Sequence, residues 1–199
     1  MLEHPNIVTY IKSERKQNVF ELQMEYVPSG SISTLLQKLK KFPEPLIQIY
    51  TIQILHGLIY LHSNNIFHSD LKCANVLVDK NGIVKLTDFG ISRSLIQKIA
   101  TGKDQETFTS PNWIAPEVLK GTEFNDKSDI WSLGCSIIEM LTGSAPWKEA
   151  GPDIVHHIIE SQKAPKVPVE SSSELVDFLK YCFEMNPIHR PTAQFFIEC

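Results

Sequence analysis

His68-Ser69-Asp70-Leu71-Lys72-Cys73-Ala74-Asn75 is followed by an apolar run, a turn and then Asp88-Phe89-Gly90, with Ala115-Pro116-Glu117 further downstream. The stretch between Asn75 and Asp88 sets the geometry. Asn75-Val76-Leu77-Val78 and Ile83-Val84-Lys85-Leu86-Thr87 are short β-prone runs joined by Asp79-Lys80-Asn81-Gly82, and an Asn-Gly pair between apolar strands is a strong hairpin signal. A hairpin brings its two open ends together. Asn75 and Asp88 therefore arrive at one edge, beside the loop that carries Asp70 and Lys72. Hard oxygen donors in small number suit Mg²⁺, which keeps several waters and completes its shell from substrate phosphates. The cluster thus asks for a phosphorylated ligand. Any one of these residues could be a charge near the end of a surface hairpin, but the four together, followed by Ala-Pro-Glu, favour a site.

Composition fits an intracellular globular protein. The formal charge of −4 gives no basic footprint for nucleic acid, and Lys38, Lys40 and Lys41 read as a solvated helix face. The four cysteines, Cys73, Cys135, Cys182 and Cys199, show no Cys-x-x-Cys spacing, so neither a zinc site nor a disulfide framework is implied. No apolar run is long enough to span a bilayer, and Met1-Leu2-Glu3-His4 does not read as the start of a signal peptide. No membrane partner and no nucleic acid are expected, and 199 residues allow one domain with a substantial core. There is no internal repeat and no low-complexity segment.

Along the chain, Ile7 to Lys12 and Val19 to Val27 read as two strands around a polar turn at Ser13 to Asn18. Pro28-Ser29-Gly30 breaks the pattern. Ser31 can cap a short helix with Leu35, Leu36 and Leu39 on one side, and Pro43 to Pro45 restart the chain. Leu46 to His62 is apolar nearly all round, as expected of a buried central helix. Ser128 to Leu141 is similar and stops at Gly143, with Pro146 beyond. Further helices are expected from Pro152 to Ser161 and from Ser173 to Met185. The class is α+β: a few strands and a mostly helical body.

The ordered set of catalytic-loop, Asp-Phe-Gly and Ala-Pro-Glu motifs resembles the catalytic domain of eukaryotic protein kinases. The resemblance runs from His4-Pro5-Asn6-Ile7-Val8 to Arg190-Pro191-Thr192 and so covers essentially the whole chain. It implies a protein-kinase-like fold in which residues 1–27 are a remnant of the N-terminal lobe, its fourth and fifth strands and hinge, and residues 28–199 are the helical C-terminal lobe. It further implies that Asp88 and Asn75 hold Mg²⁺, that Lys72 touches the γ-phosphate of ATP, and that Asp70 orients and deprotonates the substrate hydroxyl. Met24 corresponds to the gatekeeper, Glu25 and Val27 to the hinge that hydrogen-bonds adenine, and Leu77 to the apolar floor beneath the purine. Asp129 resembles the buried acid that braces the catalytic loop, and Glu117 with Arg190 the structural ion pair of the fold. Asp70-Leu71-Lys72-Cys73-Ala74-Asn75 resembles the serine/threonine class. The segments Glu25 to Ile32 and Pro111 to Glu117 look most like mitogen-activated protein kinase kinase kinases.

Three departures accompany the resemblance. No Gly-x-Gly-x-x-Gly or Walker A motif occurs among the nine glycines, and no strand lysine or helix glutamate of the kinase type precedes the hinge. The expectation is an N-terminally truncated fragment whose two remaining strands expose an edge. Ser69 stands where most relatives carry the arginine that pairs with an activation-loop phosphate, so phosphorylation at Thr107 or Thr109 is expected to activate less than usual. Thr109 also replaces the usual glycine before Ser110-Pro111, while Ser110 matches the hydroxyl that contacts Asp70 and Lys72. Two function classes follow. One is an ATP-dependent serine/threonine kinase acting on a protein substrate, possibly a downstream kinase, in a cytoplasmic MAP kinase cascade. The other is a truncated or pseudokinase-like binding and scaffold module without activity of its own.

Overall fold

The computed structural model describes residues 2–17, 19–89, 111–122, 124–148, 150–151 and 153–198. The expectations attached to Gly90, Thr107, Thr109 and Ser110 lie outside the described residues.

Two long helices form the centre. Helix α2 (Glu44–Ser63) starts behind Pro43 with Glu44 in its first turn, where a carboxylate meets the positive end of the helix dipole. Ile47, Ile54, Leu58 and Leu61 are fully enclosed, although Ile49 and Ile52 face solvent, so the helix is less completely surrounded than its sequence suggests. Helix α4 (Asp126–Thr142) is capped by Asn125, whose side chain accepts from the amides of Lys127 and Ser128 at 2.9 and 3.1 Å. It ends at Gly143, which takes the left-handed conformation, φ 68°, and donates to the Glu139 carbonyl at 2.8 Å, a position where a Cβ is disfavoured. From Ser128 to Met140 every residue of α4 is buried.

Strands β3 (Val76–Val78) and β4 (Val84–Leu86) form the expected hairpin, with Leu77 opposite Lys85. Asp79 closes its turn: the carboxylate accepts from the amides of Asn81 and Ile83 at 2.7 and 2.8 Å. One face of the hairpin, Val76, Val78, Val84 and Leu86, enters the core. Gln53 of α2 fixes the hairpin from below by accepting from the Val84 amide at 2.8 Å.

The N-terminal strand differs from expectation. Ile7 and Val8 do not belong to the first hairpin; Ile7 bridges Leu86 in parallel and the Val8 amide donates to the Leu86 carbonyl at 2.9 Å. Strand β1 runs Tyr10–Lys16 and pairs antiparallel with β2 (Val19–Met24), so most of the polar stretch read as a turn is strand. Ile7 and Val8 are buried, which selects the pairing with β4. Beyond them the hairpin is largely exposed, with Ile11, Val19 and Leu22 open to solvent, and polar residues cost nothing there.

Helix α1 (Ile32–Leu39) is capped by Ser31, which accepts from the Thr34 amide at 3.1 Å. It buries Ile32 and Leu36, whereas Leu39 is exposed; the apolar stripe lies one step earlier than expected. Short helix α3 (Pro116–Leu119) precedes α4, and α5 (Ile154–Ser161), α6 (Ser173–Cys182) and α7 (Phe195–Glu198) follow it. Helix α6 stops three residues before the expected Met185, with Phe183 as its C-terminal cap.

Candidate active site

The loop between α2 and β3 hangs from a carboxylate on α4. Asp129 is fully buried and accepts from the amides of His68 at 2.8 Å and Ser69 at 2.9 Å, while His62 Nε2 lies 2.8 Å from the same carboxylate. Ser69 is thereby held at φ 68°, a left-handed conformation that a non-glycine residue adopts at a cost of about 1–2 kcal/mol. The turn aims Asp70 outward. Lys72 Nζ donates to both Asp70 carboxylate oxygens at 3.0 and 2.8 Å. Asn75 Nδ2 donates to the Asp70 carbonyl and to its Oδ2, both at 2.8 Å. Both amide hydrogens of Asn75 are used on Asp70, which leaves its Oδ1 as the atom a hard cation can take.

The hairpin joins its ends as the sequence implies. Val76 pairs with Leu86, and the Thr87 amide donates to the Asn75 carbonyl at 3.0 Å, so Asp88 emerges directly beside Asn75. Asp88 is exposed and has φ 56°. One amide oxygen and one carboxylate are the donor set that Mg²⁺ takes when phosphates supply the remainder.

Behind the loop, His68 is fully enclosed, and burial holds its imidazole below the usual histidine range against the opposing charges of Asp129 and Asp70. Its ring lies 6.4 Å from that of Phe89, which in turn meets Tyr10 edge-on at 5.4 Å. Tyr10 pairs with Met24 across the first hairpin. The rings of His68, Phe89 and Tyr10 therefore form a chain from the 68–75 loop to the strand position opposite Met24.

Glu25 is tied to the β3–β4 hairpin by an ion pair with Lys85. Lys85, opposite Leu77 in the β3–β4 hairpin, donates to Glu25 Oε1 at 2.9 Å, and the Thr9 amide donates to the same oxygen at 2.7 Å. Burial pushes the Glu25 carboxyl up, but the bonds from Lys85 and Thr9 outweigh it and hold the group below its ordinary value. The Glu25 amide is spent on the Thr9 carbonyl at 2.9 Å, so the carbonyl is what this residue can offer a ligand. Val27 is buried between exposed Tyr26 and Pro28. Leu77 is partly buried on the hairpin face opposite the core.

On the other side of the loop, Arg190 is fully buried and grips Glu117 with two bonds, Nη1 to Oε1 at 2.7 Å and Nη2 to Oε2 at 3.1 Å. Its Nη1 also donates to the Lys127 carbonyl at 2.8 Å and its Nε to the Glu184 carbonyl at 2.9 Å. This fork pins the Ala-Pro-Glu segment to the N-terminus of α4.

The chain matches the family model described as protein kinase domain over residues 1–198. The chain belongs to the protein kinase family. Among curated kinases it is similar to mitogen-activated protein kinase kinase kinase A of Dictyostelium discoideum, 45% identical over 194 residues that make up 96% of this chain and 20% of the relative. Mitogen-activated protein kinase kinase kinase 2 of Arabidopsis thaliana is 43% identical over 194 residues, 96% of this chain and 30% of the relative. Serine/threonine-protein kinase BCK1/SLK1/SSP31 of Saccharomyces cerevisiae is 42% identical over 201 residues, covering 96% of this chain and 13% of the relative. The chain thus spans less than a third of the length of these relatives.

The kinase fold brings Asp70, Lys72, Asn75 and Asp88 to one edge, with Met24, Glu25, Val27 and Leu77 grouped around the hinge and the β3–β4 hairpin. Four contributors were not legible as site residues: His62 on Asp129, Lys85 on Glu25, Tyr10 between Phe89 and Met24, and Glu139, whose carboxylate accepts from the Cys73 amide at 3.2 Å and from Trp113 Nε1 at 3.0 Å. Glu139 did leave a signal, as the lone acid in the apolar run from Gly134 to Met140.

Proposed function

We propose that the protein to which these residues belong is an ATP-dependent serine/threonine kinase that phosphorylates a protein, in the setting of a MAP kinase cascade. The observation that carries this reading is the convergence of Lys72 and Asn75 on the Asp70 carboxylate, next to the hairpin end from which Asp88 emerges. Asp70 faces outward with a defined orientation and accepts the proton of the incoming hydroxyl. Asn75 keeps that carboxylate aligned, and Lys72 sits where a cation can lie against the moving phosphoryl group. Asn75 Oδ1 and the Asp88 carboxylate are the donors for Mg²⁺, which neutralises developing charge on the phosphates when bound. Met24, Glu25 and Val27 line the adenine side and Leu77 the floor. Residues 1–27 act as strands and hinge of the nucleotide side, and residues 28–199 as the catalytic and substrate-docking lobe. A cytoplasmic place of action belongs to the same proposal and rests on the free, buried thiols of Cys73, Cys135 and Cys182; no helix among the described residues is long and apolar enough to cross a membrane.

Incubating the full-length gene product with γ-labelled ATP, Mg²⁺ and a catalytically silenced protein kinase as acceptor tests the reading. Label should appear on serine or threonine of the acceptor and vanish in Asp70→Asn. Absence of transfer by the unmutated protein, or label that persists in the variant, overturns it and leaves the binding-module reading.

A further inference from the structure

Val176 and Leu179 of α6 and its C-terminal cap Phe183 stand at i, i+3 and i+7, along one side of the helix. Together with Ala164 and Val167 from the segment ahead of α6, and with Met185 beyond it, they line a cavity of about 290 Å³. None of these walls belongs to the residues assigned to nucleotide, metal or acceptor. The lining is apolar except for Lys180 and Glu184, and both charged groups are engaged within the protein. Lys180 Nζ donates to Asp177 at 2.7 Å, and the Glu184 carboxylate accepts from the Asn186 amide at 3.0 Å. A charged ligand would leave water here without gaining an uncommitted partner of opposite sign. An apolar cavity of roughly 150 Å³ holds a benzene molecule, so this one has room for about two fused rings.

The walls are joined to the segment that carries Ala115-Pro116-Glu117. The Phe183 ring lies edge-on to Trp131 of α4 at 5.1 Å, and it is pressed so closely on α4 that a Cβ at Gly134 would come within 2.8 Å of it. The Arg190 guanidinium sits over the same Trp131 ring at 5.2 Å, and its Nε donates to the Glu184 carbonyl at 2.9 Å. Arg190 in turn grips Glu117. A ligand that holds Phe183 and Glu184 in place therefore also holds the base of the Arg190 fork.

We propose that this cavity binds a neutral, mainly hydrocarbon ligand of roughly ten to twelve heavy atoms, and that its occupancy steadies the Ala-Pro-Glu segment through Glu184 and Arg190. The site stands independently of the kinase reading above.

The test ligand is 2-naphthol, uncharged at neutral pH, added to the full-length protein and followed by titration calorimetry and by amide exchange with mass spectrometry. A hydrocarbon body of this size in an apolar site should bind with Kd of roughly 0.1–1 mM. At about three times Kd, exchange that requires an empty site slows about fourfold. This protection should fall on 164–167 and 176–185 and extend to 116–119. The anionic analogue of the same shape, 2-naphthoate, should bind roughly tenfold more weakly or worse. Ala164→Phe and Val176→Phe fill the cavity from facing walls, and each should weaken 2-naphthol by roughly tenfold or more. Val169→Phe, at a fully exposed position between them in sequence, should leave its binding unchanged. Absence of binding, or protection confined to other regions, overturns the site, and this readout on the unmutated protein holds whether or not the variants fold. Folded Ala164→Phe and Val176→Phe proteins that bind as the unmutated one does overturn it as well. Equal binding of 2-naphthoate overturns the neutral ligand class, and protection of the walls that stops short of 116–119 overturns the coupling to the Ala-Pro-Glu segment.

Discussion

Replacing Asp129 by asparagine keeps the volume of the side chain and removes its charge, and the structure fixes what that costs. Three donors converge on the carboxylate: the amides of His68 and Ser69 and the imidazole of His62, all within 2.9 Å. Asparagine has one acceptor oxygen and presents hydrogens where the second oxygen stood, so at least one donor meets another donor. Hydrogen bonds to a charged group net about 1.5–3 kcal/mol each, and an unsatisfied buried donor costs a further 1–3. The Ser69 backbone, at φ 68°, also loses the bond that offsets its strain. Weakening two such bonds gives a destabilisation of about 3–5 kcal/mol. For a chain of this size that lowers Tm by roughly 6–20 °C. Equilibrium urea unfolding of the unmutated protein and of Asp129→Asn measures it, with the m-value checking that the unfolded reference is unchanged. A loss below about 0.5 kcal/mol, or a gain, would mean that the desolvation penalty of the buried anion outweighs its hydrogen bonds, and the anchoring argument would fail.

Other substitutions test neighbouring steps. Gly134→Ala should destabilise by about 1–3 kcal/mol although alanine is the better helix former by roughly 1, because the added Cβ would lie 2.8 Å from both Cys182 Cβ and Phe183 Cε1; a more stable variant in thermal unfolding would refute the packing estimate. Arg190→Lys should cost about 3 kcal/mol or more, since an ammonium cannot reproduce the two-pronged grip on Glu117 together with the bonds to Lys127 and Glu184; an unfolding free energy within about 0.5 kcal/mol of the unmutated protein would contradict this. Burial raises the Glu139 carboxyl against the bonds from Cys73 and Trp113 and the nearby charge of Lys72. A carboxyl that binds its proton more tightly in the fold than in the unfolded chain makes stability fall as pH rises from the ordinary carboxyl value to the raised one, then level off. Glu139→Gln should abolish that part of the slope, and an identical pH dependence in both proteins would refute it.

What the sequence revealed is the part of the site built from neighbours along the chain. Asp70, Lys72 and Asn75 lie within six residues, and the Asn81-Gly82 turn returns Asp88 to Asn75, so local geometry sufficed. Partners far apart along the chain, Glu25 with Lys85 and Cys73 with Glu139, depend on how α2, α4 and the hairpin pack, and nothing in the local pattern marks them as pairs. Asp129 was identified by resemblance, whereas its contact with His62 arises only once α2 lies against α4. Strand β1 was misread for a different reason. Its hairpin is mostly exposed, so no buried face recorded its register, while buried Ile7 and Val8, read as its start, belong with β4.

The division of labour between loop and hairpin is tested most directly by Mg²⁺-dependent ATP binding and single-turnover phosphate transfer in Asp70→Asn and Asp88→Asn of the full-length protein. Asp70→Asn should bind Mg²⁺·ATP as the unmutated protein does and transfer at least a hundredfold more slowly, in line with the loss of a general base. Asp88→Asn should lose the Mg²⁺ dependence of nucleotide binding itself. Equal losses of binding in both variants, or normal transfer by Asp70→Asn, would contradict the assignment of the hydroxyl to the loop and the metal to the hairpin end.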